Sequence, residues 1–390
     1  LPIFDYRKAF MTTASAPVVV IAPDSFKGSL SAQEVAEAIG AGVRAAAPAA
    51  IVRLCPIADG GEGTLDALLH AGGEVRRLQV RGAAGTLRDA AAGILSDGSA
   101  VIESAEIVGL TDPVGTAVAV EKRSTLGIGD ALLTLLDGGA RRFLIALGGS
   151  STNDGGIGML VALGLKLFDA DGKELEPVPS QLGKLTRVDV AGLDPRLNDI
   201  HIVAMSDVDN PLCGDKGATA IFGPQKGVTA DQVKPLDALL GHFAALFEQA
   251  SGRRAANSPG AGAAGGLGYA LLMLGAEFQS GAQTVADYIG LDAALKDADW
   301  LITGEGRSDA QTLHGKAPFI AAQRARQAGV QTSLLSGGVD RSALGELQTS
   351  FSGCFSITFG PTTLDKAIAD AAGLLKDSAE QMTRLWLSGR

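Results

Sequence analysis

Aromatic side chains are scarce in this 390-residue chain, at 5% of positions, so its core must be assembled from Ala, Val, Ile and Leu. Three cysteines, Cys55, Cys213 and Cys354, stand far apart without paired spacing. That argues against a disulfide framework or a zinc knuckle and fits a reduced, cytoplasmic protein. Only 4 histidines are present, in no His/Cys cluster, which disfavours a transition-metal site. Positive charge is also short. A formal net charge of −10 speaks against a nucleic-acid partner, which needs a basic surface to neutralise phosphates. A small anion needs only a few local cations and stays open as a ligand. No apolar run approaches the ~20 residues needed to span a bilayer, so no membrane partner is expected. The chain leaves its oligomeric state open. Leu1–Phe10 lacks the apolar core of a signal peptide and Met11 is a natural start, so residues 1–10 are expected to be an upstream remnant outside the fold.

The composition that remains, 46% hydrophobic and 19% charged, is globular. The length allows two ordinary domains, or one large one with an insertion. Val18–Ala22 has no polar residue and reads as a strand buried on both faces. After a loop, Ser31 with Glu34 predicts a capping box, and Val35, Ala38, Ile39 and Val43 share one helical face. A second strand, Ile51–Cys55, leads through Ala58–Gly63 to a short helix carrying Leu65, Leu68 and Leu69, stopped at Gly72. Strand, loop and helix repeated twice opens a parallel, doubly wound α/β sheet. From Gly73 the texture changes to short antiparallel strands, Val75–Arg81, Leu87–Ile94 and Ala100–Glu103. Alternation then returns with helices near Ile128–Leu136 and Ile157–Leu163 and strands at Phe143–Leu147 and Ile202–Met205. Strands at Trp300–Thr303, Thr332–Leu335 and Cys354–Thr358 precede a long last helix from about Leu364. The expected organisation is a three-layer α/β domain of residues 11–72 and 290–390, with a second α/β domain, 73–289, inserted.

Ligands of a doubly wound sheet bind beyond the carboxyl ends of its strands. Five apolar strands here run into loops of one texture. The first is Asp24-Ser25-Phe26-Lys27-Gly28-Ser29, and the second Asp59-Gly60-Gly61-Glu62-Gly63. Gly148-Gly149-Ser150-Ser151-Thr152-Asn153-Asp154-Gly155-Gly156 is the third and Ser206-Asp207-Val208-Asp209-Asn210 the fourth. Gly304-Glu305-Gly306-Arg307-Ser308-Asp309 completes the series. Glycines let backbone N–H groups converge on phosphate oxygens, and carboxylates hold the Mg²⁺ that bridges them. A Lys or Arg clamps the anion, and one Asp can take the proton of an attacking hydroxyl. Any one such loop could be only a turn, since Asp-Gly sequences build turns. Five together point to phosphoryl transfer.

Common nucleotide fingerprints fail. Gly315-Lys316 is followed by Ala317, and no earlier Gly completes a P-loop. Gly260, Gly262 and Gly265 spell a dinucleotide motif, but Arg253–Pro259 before it is not a strand. The lesser expectation is that Gly262–Gly268, with Gly265 and Gly266, opens a helix that lines the nucleotide site; plain helix packing is the alternative. Asp207, Asp209 and Asn210 open like a calcium loop that Pro211 breaks and no Glu closes. His314 is a weak candidate base, and no serine sits on a nucleophile elbow. Lys27, Lys226, Arg307 and Lys316 are cations beside Gly-rich segments.

The segment Ala22-Pro23-Asp24-Ser25-Phe26-Lys27-Gly28-Ser29-Leu30 resembles the amino-terminal signature of the bacterial type-one glycerate kinases, and Pro56-Ile57-Ala58-Asp59-Gly60-Gly61-Glu62-Gly63-Thr64 their second. The Gly148–Gly156 loop, Asp207–Gly214, Phe222–Gly227 and Gly262–Gly268 are similar to further family segments, as is Thr303–Thr312 with Gln311, followed by Gly315-Lys316. Ser151 and Thr219 depart from it where Ala is usual, and neither removes a charged group. The resemblance implies ATP and Mg²⁺ as cofactors, D-glycerate as acceptor with 2-phosphoglycerate the favoured product, and a two-domain fold with the site in the interdomain cleft. Lys27 and Arg307 are the candidates for gripping the glycerate carboxylate or the transferring phosphoryl group. Asp207 and Asp309 are candidates for metal ligand or base, ahead of Asp59 and Glu62. Asp24, Ser25, Gly60, Gly61, Gly148, Gly149, Asn153, Asp154, Glu305, Gln311 and Lys316 complete the expected site. A kinase of another small hydroxy acid, a glycerate 3-kinase and a non-catalytic metabolite-binding regulator are the competing functions.

Overall fold

The computed structural model describes residues 16–389, so the expected remnant 1–10 and the start at Met11 lie outside the described residues. In chain order the first strands are β1 Val18–Ile21, β2 Ile51–Leu54, β3 Gly73–Arg81, β4 Leu87–Leu95 and β5 Ala100–Glu103. There follow β6 Arg142–Ala146, β7 Lys166–Phe168, β8 Arg187–Asp189, β9 His201–Met205 and β10 Glu277–Gln279. The last are β11 Trp300–Thr303, β12 Arg307–Ser308, β13 Gln331–Ser336, β14 Gly338–Val339 and β15 Gly353–Ser356. The chain divides into two compact units. Unit one holds the described residues up to Pro56, Gly290–His314 and those from Pro318 on; unit two holds Ile57–Ile289 and the turn Gly315–Ala317.

Unit one is built on a parallel five-stranded sheet in the order β15-β13-β11-β1-β2. Ser31 and Glu34 form the expected capping box on the helix Ala32–Ala46, whose buried face carries Val35, Ile39 and Val43. On adjacent residues of β13, Leu335 joins the core made with Val19, Ile39 and Leu375, while Leu334 joins a separate one with Ala343, Leu347 and Phe351. Successive strand side chains point to opposite faces, so these cores lie on the two sides of the sheet and make three layers. Strand order reverses between β1 and β11, and ligands of such sheets bind at that switch point.

Unit two has a six-stranded sheet, β10-β9-β6-β5-β4-β3, with β3, β4 and β5 antiparallel and β5, β6, β9 and β10 parallel. The carboxyl ends of four strands therefore share one edge. The first division between units falls at Pro56, whereas the sequence placed it at residue 72. The Ala58–Gly63 loop and the helix Thr64–His70 belong with β3, β4 and β5, against which the helix packs. The 22-residue helix Ala230–Ser251 has no counterpart in the sequence reading; Pro235 inside it masks the pattern, and Phe243 and Phe247 pack edge-on to Tyr269. The expected last helix is broken at Asp370 into Leu364–Ala369 and Ala371–Ser388. Among the described residues no helix is long and apolar enough to cross a membrane.

Candidate active site

In unit one the loops after β1 and β11 meet at the switch point. Asp24 N–H donates to Gly304 O at 2.8 Å, and Thr303 Oγ1 donates to Ala22 O at 2.6 Å. Gly304 admits no side chain, because a Cβ there would lie 1.7 Å from Leu335 O. Phe26 and Leu30 exchange backbone hydrogen bonds across a small turn whose tip is Lys27-Gly28, with Gly28 at φ +76°. Phe26 is buried and Lys27 exposed, so an apolar anchor holds a cation outward. Asp24 is buried and accepts from Ser25 N–H. Glu305 is buried and accepts from Ser308 Oγ and Thr312 Oγ1, at 3.1 and 2.6 Å, so it organises its own loop. Asp309 caps the following turn by accepting from Gln311 N–H at 2.9 Å. Arg307 and Gln311 are exposed, the former 3.9 Å from Asp340 Oδ2. The sequence reading missed the segment after β13, where Gly337, Gly338 and Asp340 pair with Glu305, Gly306 and Ser308.

In unit two, Asp59–Gly61 threads along the carboxyl edge of the parallel strands. Gly148 N–H donates to Gly60 O at 3.0 Å, and a Cβ on Gly148 would lie 2.5 Å from Gly61 Cα. A Cβ on Gly60 would lie 3.1 Å from Gly281 Cα and 3.2 Å from Met205 O. The backbones after β6, β9 and β10 can close on this loop only because glycine stands at each approach. Asp59 Oδ1 accepts from Gly61 N–H, and Glu62 is exposed beside it. Asp207, following β9, is reached by solvent, yet surrounding protein displaces enough water to raise its carboxyl pKa. The Asp59 charge raises it further, while hydrogen bonds from Ser280 and Gly281 lower it. The turn carrying Lys316 clusters with this unit, and a Cβ on Gly315 would stand 4.0 Å from Asp207 Cγ.

Other expected ligand contacts prove to be loop-forming. Asp154 is fully buried; its oxygens accept from Thr125 N–H and Oγ1, Gly156 N–H and Gly158 N–H, between 2.7 and 3.2 Å. No surface remains on it for a phosphate. Asn153 is equally buried and donates to Thr219 Oγ1 at 3.0 Å. Gly265 and Gly266, both at positive φ, pack against Thr152–Gly155, where a Cβ would come within 2.1 Å of Thr152 O and 2.6 Å of Gly155 Cα. These glycines serve backbone packing, and the helix that they open lies against the Gly148–Gly156 loop. The two departures from the family pattern both find partners. Thr219 receives Asn153, and Ser151 Oγ donates to Val108 O at 2.9 Å.

Lys226 holds this loop from beneath, with Nζ donating to Ser150 Oγ at 3.0 Å and Thr152 O at 2.7 Å. Burial pushes its pKa down from 10.5 to about 7, Arg123 adding to the fall and Asp154 opposing it. An unfolded lysine stays protonated to ~10.4, so between these values the unfolded state binds more protons and stability rises with pH. In Lys226→Met that rise is lost. Urea midpoints at pH 7 and pH 9.5 check this, and an equal rise in variant and wild type contradicts it.

Among the described residues no cluster of three or more His, Cys, Asp or Glu could hold a metal ion. Asp59 and Asp207 are a different arrangement: two carboxylates near enough that the Asp59 charge raises the cost of ionising Asp207. Mg²⁺ in phosphoryl-transfer sites is held by one or two carboxylates together with phosphate oxygens, and this pair fits that donor set. Asp309, the other expected metal ligand, belongs to unit one.

A family model described as the glycerate kinase family matches residues 19–387. A glycerate kinase of Bacillus subtilis (strain 168) is 43% identical over 372 residues, 93% of this chain and 96% of that protein. A glycerate 2-kinase of Escherichia coli (strain K12) is 42% identical over 361 residues, covering 90% and 93%. A crystal structure assigned as glycerate kinase 2 from Salmonella typhimurium LT2 superposes with a TM-score of 0.83 at 38% identity, over 96% of this chain and 99% of that one.

Proposed function

The chain belongs to the glycerate kinase family, and we propose that it transfers the γ-phosphoryl group of ATP to the 2-hydroxyl of D-glycerate, giving 2-phosphoglycerate. The observation that carries this is the Asp59–Asp207 pair, set among glycine-only backbone approaches where four parallel strands end. Glycine at positions 60, 61 and 148 keeps side chains away from this edge, so that the backbone there can come close to phosphate oxygens. Asp207 with Asp59 would hold Mg²⁺, which when bound offsets the charge that develops on the phosphates. In unit one, Lys27 and Arg307 are exposed cations for the glycerate carboxylate or the transferring phosphoryl group, and Asp309 is the second candidate for receiving the hydroxyl proton. Three free thiols among the described residues accord with a cytoplasmic setting.

A panel of small hydroxy acids with coupled ADP detection tests the function. D-glycerate is expected to give the highest kcat/KM; a preference for another acid would make that the acceptor, and nucleotide binding without ADP formation would make the protein a regulator. Lys27→Ala is expected to lower kcat roughly 10²-fold, the size of losing one charge-stabilising donor. Its exposure predicts an unchanged melting temperature. Turnover near wild type would remove Lys27 from the site.

A further inference from the structure

Glu103, the last residue of β5, is 2% exposed, and no sequence motif drew attention to it. Its Oε1 accepts from Gly63 N–H at 3.1 Å and its Oε2 from Leu65 N–H at 2.9 Å. These N–H groups open the helix Thr64–His70, whose N-cap, Gly63 at φ +89°, has no side chain to cap it. A carboxylate from a neighbouring strand supplies the cap. The next residue, Ser104, donates from Oγ to Gly148 O at 3.1 Å, and Gly148 N–H in turn donates to Gly60 O. Glu103 and Ser104 thus close a ring: one holds the exit of the Asp59–Glu62 loop, the other holds the Gly148 loop against its centre.

We propose that Glu103 is a positioning residue for the transfer reaction, setting the Asp59–Glu62 loop through Gly63 and Leu65 without touching substrate. This rests on the kinase reading of the same site. Both carboxylate oxygens act as acceptors, and protonation converts one to a donor, which cannot meet an N–H. The carboxyl is pushed up to about 7, chiefly by burial, with Glu106 on the following helix and Asp66 on the capped helix adding to the rise and the two N–H bonds opposing it. On the sheet its neighbour is the apolar Ala146 of β6. Loop positioning should therefore weaken as pH falls below neutrality.

The experiment is the pH dependence of kcat between pH 6 and 8, in wild type and Glu103→Gln, with saturating ATP, Mg²⁺ and D-glycerate. Wild-type kcat is expected to fall about tenfold from pH 8 to 6 as one group of pKa near 7 protonates. Glu103→Gln has no titrating side chain at this position, and Lys226, the other group near 7, can keep its two donor bonds when neutral, so kcat of the variant should vary less than twofold. A variant that keeps the acid fall, whatever its absolute rate, overturns the proposal, since a merely structural side chain would leave that profile in place. Should Glu103→Gln not fold, the wild-type amide resonances of Gly63 and Leu65 decide. Both are expected to titrate with the midpoint of kcat, and no titration between pH 6 and 8 overturns the proposal. If wild type turns over no glycerate at any pH, the kinase reading fails, while the amide titration still reports whether Glu103 governs the loop.

Discussion

Asp207→Asn is expected to lower kcat by on the order of 10²–10⁴, the range seen when a proton-transfer or charge-positioning group is lost. The substitution keeps the shape of the side chain and an oxygen to accept from Ser280 and Gly281, so it removes charge and little else. Two consequences separate a chemical role from a structural one. The neutral amide would no longer repel Asp59, so folding stability should hold or rise slightly, in the pattern of sites that trade stability for function. The Mg²⁺ concentration for half-maximal rate should also rise, because one of two carboxylates suited to the ion is gone. Metal titrations of kcat and urea midpoints on the same preparations check both. Unchanged Mg²⁺ dependence would withdraw Asp207 from the metal and leave only a proton-transfer role; wild-type kcat would withdraw it from the site.

Asp154→Ala is expected to cost about 3–5 kcal/mol, the range for removing one member of a buried charged network. Burial raises the pKa of Asp154, so its ionised form is itself unfavourable in the fold. The loss comes instead from the donors left behind: Thr125 N–H, Gly156 N–H and Gly158 N–H would each lie buried without an acceptor. Asp154→Asn should rescue little, because the amide nitrogen would face N–H groups. Thermal unfolding checks this. A melting temperature within about 1 °C of wild type for Asp154→Ala would contradict it, since a change of this size shifts the transition by several degrees.

How much was legible beforehand divides along the range of the interactions concerned. Local signals are carried by a few adjacent residues, and they placed β1, β6, β9, β11 and the Ser31–Glu34 cap to within a residue or two. The rule that ligands gather beyond carboxyl strand ends found the Asp24, Asp59, Gly148, Asp207 and Gly304 loops. It applies equally to Glu103, a carboxylate closing the apolar run Ala100–Ile102, but no glycine-rich loop follows to mark it. Long-range choices were not readable. The helix Thr64–His70 follows a parallel-type strand and reads as part of that sheet, yet its apolar face is taken by β3, β4 and β5, in the other unit. Asp154 and Asn153 look like phosphate ligands in a Gly-rich loop because sequence does not show which side chains turn inward. Ala264 adopts φ +51° beside Gly265 and Gly266, a left-handed run set by packing on Thr152–Gly155 and not by local preference.

Phosphorus NMR of the product formed from ATP, Mg²⁺ and D-glycerate tests the central claim most directly. The predicted spectrum gains ADP and a phosphate monoester split into a doublet by the single hydrogen on the esterified carbon, as a 2-phosphate requires. A triplet from a CH₂ ester would place the phosphoryl group on the 3-hydroxyl, and a spectrum with no new ester would contradict glycerate phosphorylation by this chain.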